Sequence, residues 1–262
     1  MTALVNSVLV GPDYFVLLLC RVGGLVFTSP IFGRVNLPAR VKIGLIAAVS
    51  YLLYTAFPQS VALQYSTLAG FTLLIAAELL LGMALAYVTN VFFSLTAFTA
   101  GQLIDMQVGF GIVNVYDIQN NTQIPMMGNV LNLMLLIVFF AVNGHLRLIE
   151  MIYLTLDRMP IGTMVLSPAL GLTALELFAR AFLLGVMMAL PVLASGLMLE
   201  ICLGMMMRAV PQIHMFVVGI PLKMLVGLLV FAATLPIFAG FSSKIFDEMF
   251  VGMEKIFATF LG

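Results

Sequence analysis

Charge is scarce in this sequence. Eleven Lys or Arg face eleven Asp or Glu, so only 8% of 262 residues are charged and the net charge is zero. An ordinary soluble domain carries roughly 25% charged residues, and a soluble globule of this length could not cover its surface with so few. The basic residues form no run, which excludes a nucleic-acid surface. An acidic or disordered tail is absent as well. The two cysteines, Cys20 and Cys202, sit in apolar stretches without other ligand residues nearby. They form no disulfide framework and no metal set, and read as two small buried hydrophobes. Met1 to Val10 contains no Lys or Arg, so the basic start of a secretory signal is missing and the first apolar segment, Tyr14 to Ile31, is expected to be retained. No HExxH zinc helix, GxSxG elbow or phosphate-binding GKS/GKT loop occurs. Tyr116-Asp117 matches half of an intramembrane aspartyl-protease signature, but the second Asp is missing. His145 and His214 stand far apart and read as helix-end or interface residues. These absences point away from an enzyme and leave no catalytic, cofactor or metal site.

What is present is apolar length. Hydrophobic residues make up 63% of the chain, and the mean hydropathy is +1.19. The chain therefore reads as an integral membrane protein. Charge-free runs place apolar segments at about Pro12–Thr28, Ile43–Phe57, Leu68–Ala100, Asn129–Val142, Ala169–Met207 and Met215–Ala239. Segments three and five exceed a hydrocarbon layer of about 30 Å and must tilt, kink or project; Pro191 and Gly196 are the expected kink points in the fifth. Ser167-Pro168 reads as a helix start, and Arg147 to Ser167 as a mixed connector. In the tail, Ile245, Phe246, Met249, Phe250, Met253, Ile256, Phe257, Phe260 and Leu261 form a helical stripe. This is an amphipathic C-terminal helix, expected at an interface or against a partner. Counting positive residues on alternate loops gives a tie, which argues against simple serpentine spanning.

Arg21, Glu78, Glu176, Arg180 and Lys223 interrupt apolar segments, and Arg208 follows one. A charge at a bilayer centre costs roughly 2.5–3.5 kcal/mol, so these six are candidates for buried pairs or subunit interfaces. Glu176 and Arg180 have the i, i+4 spacing of a self-satisfied helical pair. Gly101 to Gly128, rich in Gly, Asn and Gln, reads as one irregular loop. Irregular backbone at membrane depth must be buried in protein or line a wet space. Its two readings are a packing turn and a movable plug. In the second, Gly109 and Gly111 give mobility, Phe110, Ile112 and Val113 seal, and Asn114, Asn120 and Asn121 tolerate water. The 19 methionines read as core packing, with a deformable seal as the alternative. The chain divides at this loop into an N-terminal part, 1–128, and a C-terminal part, 129–262.

Several stretches in fixed order resemble one family. They are Pro30 to Lys42, Gly101–Asp105, Gly109-Phe110-Gly111, Asn143-Gly144-His145, Gly204 with Arg208 through Gln212, and Gly219 through Lys223. Together they resemble the FliR/SctT family of type III secretion export-gate proteins, from about Tyr14 to Phe260. Asp117 precedes Ile118 where the family pattern has proline, and His214 stands where it has asparagine. The resemblance implies an all-α membrane fold of kinked helical hairpins packed into a helical assembly with FliP-like and FliQ-like subunits, with an FlhB-like protein among further partners. It implies a closed pore for unfolded flagellar proteins, in the bacterial inner membrane at the flagellar basal body and largely raised on the periplasmic side. It places the plug at Met106 through Gln123, including Tyr116 and Asp117. Use in an injectisome, as SctT, is the alternative within the family. A small-molecule secondary transporter is the rival outside it, favoured by broken helices and intramembrane charges but lacking repeat symmetry.

Overall fold

The computed structural model describes residues 2–33, 37–57, 67–110, 115–117, 122–165, 167–209 and 218–261, with backbone alone at 2–11, 115–117 and 122–124. The described residues are all-α apart from one small hairpin. Its helices are α1 (Thr2–Thr28), α2 (Ala39–Ala56), α3 (Leu68–Asn90), α4 (Thr96–Val108), α5 (Met126–Ala141), α6 (Gly144–Arg158), α7 (Ala169–Ala209) and α8 (Ile220–Ala258). A π-turn at Val91–Leu95 links α3 to α4, making one apolar run of 41 residues. By length and composition, α2, α3 with α4, α7 and α8 can each cross a membrane; α5 and α6 add a fifth span if taken together. Thr67 caps α3 by accepting the Gly70 N–H, and the Ser167 hydroxyl accepts the Ala169 N–H at the start of α7, as its sequence suggested.

The described residues group into two units. The first comprises Met1–Val91, Asn143–Leu177 and Glu248–Gly262. Here α1 packs on α2 and α3. Leu17, Leu18, Val22 and Leu25 meet a core that includes Leu81, Leu85, Leu148 and Ile152, all buried. Phe57 and Tyr153 pack with ring centroids 4.6 Å apart. The second unit comprises Phe92–Val142 and Phe178–Asp247. Its centre is an aromatic cluster of Phe93, Phe139 and Phe246, with centroids 5.2–5.5 Å apart. Around it α4 packs on α5, and Thr96 donates to the Ala181 carbonyl.

Four expectations are corrected. Gly101 to Gly128 is not one irregular loop: α4 runs through Val108 and α5 starts at Met126, leaving a shorter segment with two paired strands, β1 (Val115–Asp117) and β2 (Thr122–Ile124). Arg147 to Ser167 is not a connector throughout, because α6 occupies Gly144–Arg158. Its buried stripe of Leu148, Met151, Ile152 and Leu156 was hidden by four charges on the other face. The tail is helical, but it is the last part of α8 rather than a separate helix. Its stripe, from Ile245 to Phe260, is buried in the chain's own core, and only Leu261 is exposed. Finally, Cys20 is half-buried and Cys202 exposed; both are free thiols rather than buried hydrophobes. The fifth segment is one helix of 41 residues that continues through Pro191.

Candidate functional site

The segment between α4 and α5 is the candidate site, and its stem is held by two contacts on adjacent turns. Gly101 of α4 lies against Gly128 of α5. A Cβ on Gly101 would overlap the Gly128 Cα and N, so only glycine lets these backbones meet. One turn on, the buried Asp105 carboxylate accepts the Met127 N–H at 3.3 and 3.4 Å. Pro125, which precedes α5, provides no side-chain cap. A helix start leaves N–H groups without intrahelical partners, and a carboxylate there also meets the positive end of the helix dipole. Asp105 thus does from a neighbouring helix what a capping residue does locally. Sequence reasoning missed this role. Its signal was an acidic residue in an apolar run, followed by a helix start whose own N-cap is proline.

Beyond the stem, α4 ends at Gly109, whose φ of 96° is left-handed. That conformation strains residues with a Cβ, so glycine is required there. Gly196 faces Gln107, and Gly227 faces Val108, each so closely that a Cβ would collide. The last turn of α4 is therefore walled by glycine positions of α7 and α8.

The plug candidates fall as follows. Met106 is 63% exposed on α4, and Phe110 is half-buried just after it. Tyr116 and Asp117 lie on β1, opposite Gln123 and Thr122. Gly111, Ile112, Val113, Asn114, Asn120 and Asn121 lie outside the described residues.

The six charges divide into one buried pair, three exposed groups and the half-buried Lys223. Arg21 and Glu78 are each 1% exposed, and Arg21 Nε donates to Glu78 Oε2 at 2.5 Å. Arg21 Nη1 donates to the Met159 carbonyl at 3.2 Å, while Glu78 Oε1 accepts the Gly162 N–H at 3.0 Å. The pair fastens α1, α3 and the chain after α6 at one point. Gly24 and Gly82 permit the close approach, since a Cβ on Gly82 would overlap the Arg21 carbonyl. Glu176, Arg180 and Arg208 are exposed. Glu176 receives Lys255 Nζ at 2.6 Å on both oxygens, a partner 79 positions away that helical spacing cannot suggest. Lys223 is half-buried and pairs with Glu200. His145 is the second residue of α6, a helix end as expected; His214 lies outside the described residues. No group of three or more His, Cys, Asp or Glu able to hold a metal occurs among the described residues.

Known proteins match this chain over most of its length. The family model described as "Bacterial export proteins, family 1" matches residues 13–249. The chain is 32% identical to the flagellar biosynthetic protein FliR of Escherichia coli K12, over 88% of each chain. It is 27% identical to the protein of that name from Bacillus subtilis 168, over 97% of this chain and 98% of that one. With the Aquifex aeolicus protein of that name the identity is 26%, over 92% of each.

Proposed function

This chain belongs to the bacterial export proteins, family 1, and from that membership we propose that it is a core subunit of the flagellar type III export gate. It is a membrane component of the flagellar protein-export apparatus. In the proposed reading it coils with FliP-like and FliQ-like subunits into a closed pore, with an FlhB-like protein as a further neighbour. Unfolded flagellar polypeptides pass through. The assembly stands in the inner membrane at the basal body, much of it on the periplasmic side. Export energy comes from other components, since the sequence has no nucleotide-binding loop. Residues 1–128 form the part that carries the plug, and 129–262 the packed hairpins behind it.

The observation that carries this reading is the stem. Two helices are clamped backbone to backbone at Gly101 and Gly128 and tied at Asp105. Helix α4 closes at Gly109 and α5 opens after Pro125, and the proposed plug is the chain between them. A gate needs such a division: a base that stays in place, and a span that can move without unpacking the helices. Gly109 supplies the pivot, and Phe110, Ile112 and Val113 supply the apolar seal.

The test is deletion of Phe110 to Asn121 in cells that assemble the apparatus. Assembly is checked by native mass spectrometry of the gently solubilised complex, and leak by small-ion flux across the inner membrane. The deletion is expected to leave FliP-like and FliQ-like subunits bound and to open an ion leak. Normal assembly with unchanged leak would overturn the plug assignment. A chain that purifies alone across gentle detergents would overturn the gate.

A further inference from the structure

In the second unit an ion pair lies just past the end of α4. Helices α4 and α7 run side by side in one direction. Thr96 bonds to the Ala181 carbonyl, a Cβ on Gly185 would meet Thr99, and a Cβ on Gly196 would meet Gln107. Gly227 of α8 covers Val108, the next residue of α4. Glu200 comes four residues after Gly196, and Lys223 four residues before Gly227. Four residues make about one turn, so each lies on the same face as its glycine, about 6 Å further along its helix. There Lys223 Nζ donates to Glu200 Oε1, which sets α7 and α8 antiparallel at this level. Helix α4 itself stops at Gly109, and the Met224 Cγ, next to Lys223 in sequence, is 3.8 Å from a Cβ placed on that glycine. The pair therefore bridges α7 and α8 one turn beyond the notch that holds Gln107 and Val108.

Little else grips this last turn. Its walls at Gly196 and Gly227 offer no side chain. Gln107 Nε2 is buried and has no hydrogen-bond partner among the described residues, which costs free energy instead of holding the turn. The ties to α5 lie further back, at Gly101 and Asp105. A helix end also carries unpaired carbonyls and the negative end of its dipole, which favours a lysine at that level. Arg208, the next cation on α7, is two turns further on and exposed. The Lys223 and Glu200 side chains are 19% and 37% exposed. They stand between the sealed Arg21–Glu78 pair, at 1% each, and the open Lys255–Glu176 pair, at 47% and 64%. A pair this exposed is strong enough to hold a helix end and weak enough to open.

We propose that the Glu200–Lys223 pair is a clasp that keeps the last turn of α4 seated in its glycine notch. Resting on the export-gate reading, the clasp holds the base of the plug still, and its opening frees the pivot at Gly109.

The test reads amide hydrogen exchange from Met106 to Gly109 in the gently solubilised complex, and small-ion leak in cells that assemble it. Lys223→Gln is expected to raise exchange there about fivefold, the effect of losing a strong partly exposed pair, and to open a leak. Lys223→Arg keeps the charge and should match the wild type in both. Glu200→Gln opens the clasp from the more exposed side should Lys223→Gln fail to assemble. Wild-type exchange in the neutral variants would overturn the clasp, and so would Lys223→Arg behaving like Lys223→Gln. Raised exchange without leak, in cells where deletion of Phe110 to Asn121 does leak, would overturn its hold on the plug. Where the deletion fails to leak as well, the plug assignment falls, and exchange alone decides the clasp.

Discussion

Replacing Glu78 by leucine strands the Arg21 guanidinium in the core of the first unit. Both side chains are 1% exposed, so water cannot take over. Two charges about 4 Å apart interact by roughly 4 kcal/mol at the effective dielectric of protein sites. Breaking a buried pair from one side typically costs about 3–5 kcal/mol. Glu78→Leu and Arg21→Met should each fall in that range. For a chain of this size that is a drop of roughly 6–20 °C in apparent Tm, read on the purified complex by thermal unfolding in detergent. The double variant removes both charges and leaves two backbone groups behind. The Gly162 N–H is on an exposed residue and can hydrate, while the Met159 carbonyl is buried and loses a donor. That residual is about 1–3 kcal/mol. The double variant should therefore be more stable than either single. Additive losses, or single variants within about 2 °C of the wild type, would refute the assignment of the pair as a desolvated pin.

Three further outcomes are expected. Gly101→Ala places a Cβ into the Gly128 backbone, which no rotamer change relieves; it should cost about 1–3 kcal/mol and reduce recovery of assembled complex from membranes. Asp105→Ala leaves the α5 start without its carboxylate and should cost about 1–2 kcal/mol, whereas Asp105→Asn keeps an acceptor and should lose less than half of that in the same thermal assay. Lys255→Ala removes a partner of Glu176 from a pair that is 47% and 64% exposed; the change should stay under about 1 kcal/mol, shrink further with salt and leave export-dependent motility intact.

The apolar runs made the membrane class and the long helices legible, because chain length against bilayer thickness decides them. The family was legible in the ordered glycines, prolines and charges between Pro30 and Lys223. Other features were hidden for identifiable reasons. α6 carries Arg147, Glu150, Asp157 and Arg158 on one face, and these mask the buried face in a search for charge-free runs. The stem of the candidate site depends on Gly101 meeting Gly128 and on Asp105 reaching Met127, contacts 22 to 27 positions apart that no local periodicity records. The tail pattern was read correctly as amphipathic, but a helical stripe does not say what covers it. Here Phe246 stacks on Phe93 rather than meeting lipid.

Both units use the same device to hold their helices together. In each, a glycine presses backbone on backbone, and an acidic residue four positions away on the same helix accepts a distant N–H. The first unit has Gly82 with Glu78 reaching Gly162; the second has Gly101 with Asp105 reaching Met127. In a bilayer, lipid tails are as apolar as leucine, so helix contact gains little from burial alone. Close approach of small residues supplies dispersion contacts instead, and it brings a carboxylate within reach of a backbone donor that lipid could not satisfy. The two sites differ in charge compensation. Glu78 also meets the Arg21 guanidinium, so Glu78→Gln should cost far more than Asp105→Asn. An equal cost for the two amide substitutions would mean that the backbone bond, not the cation, holds the first unit.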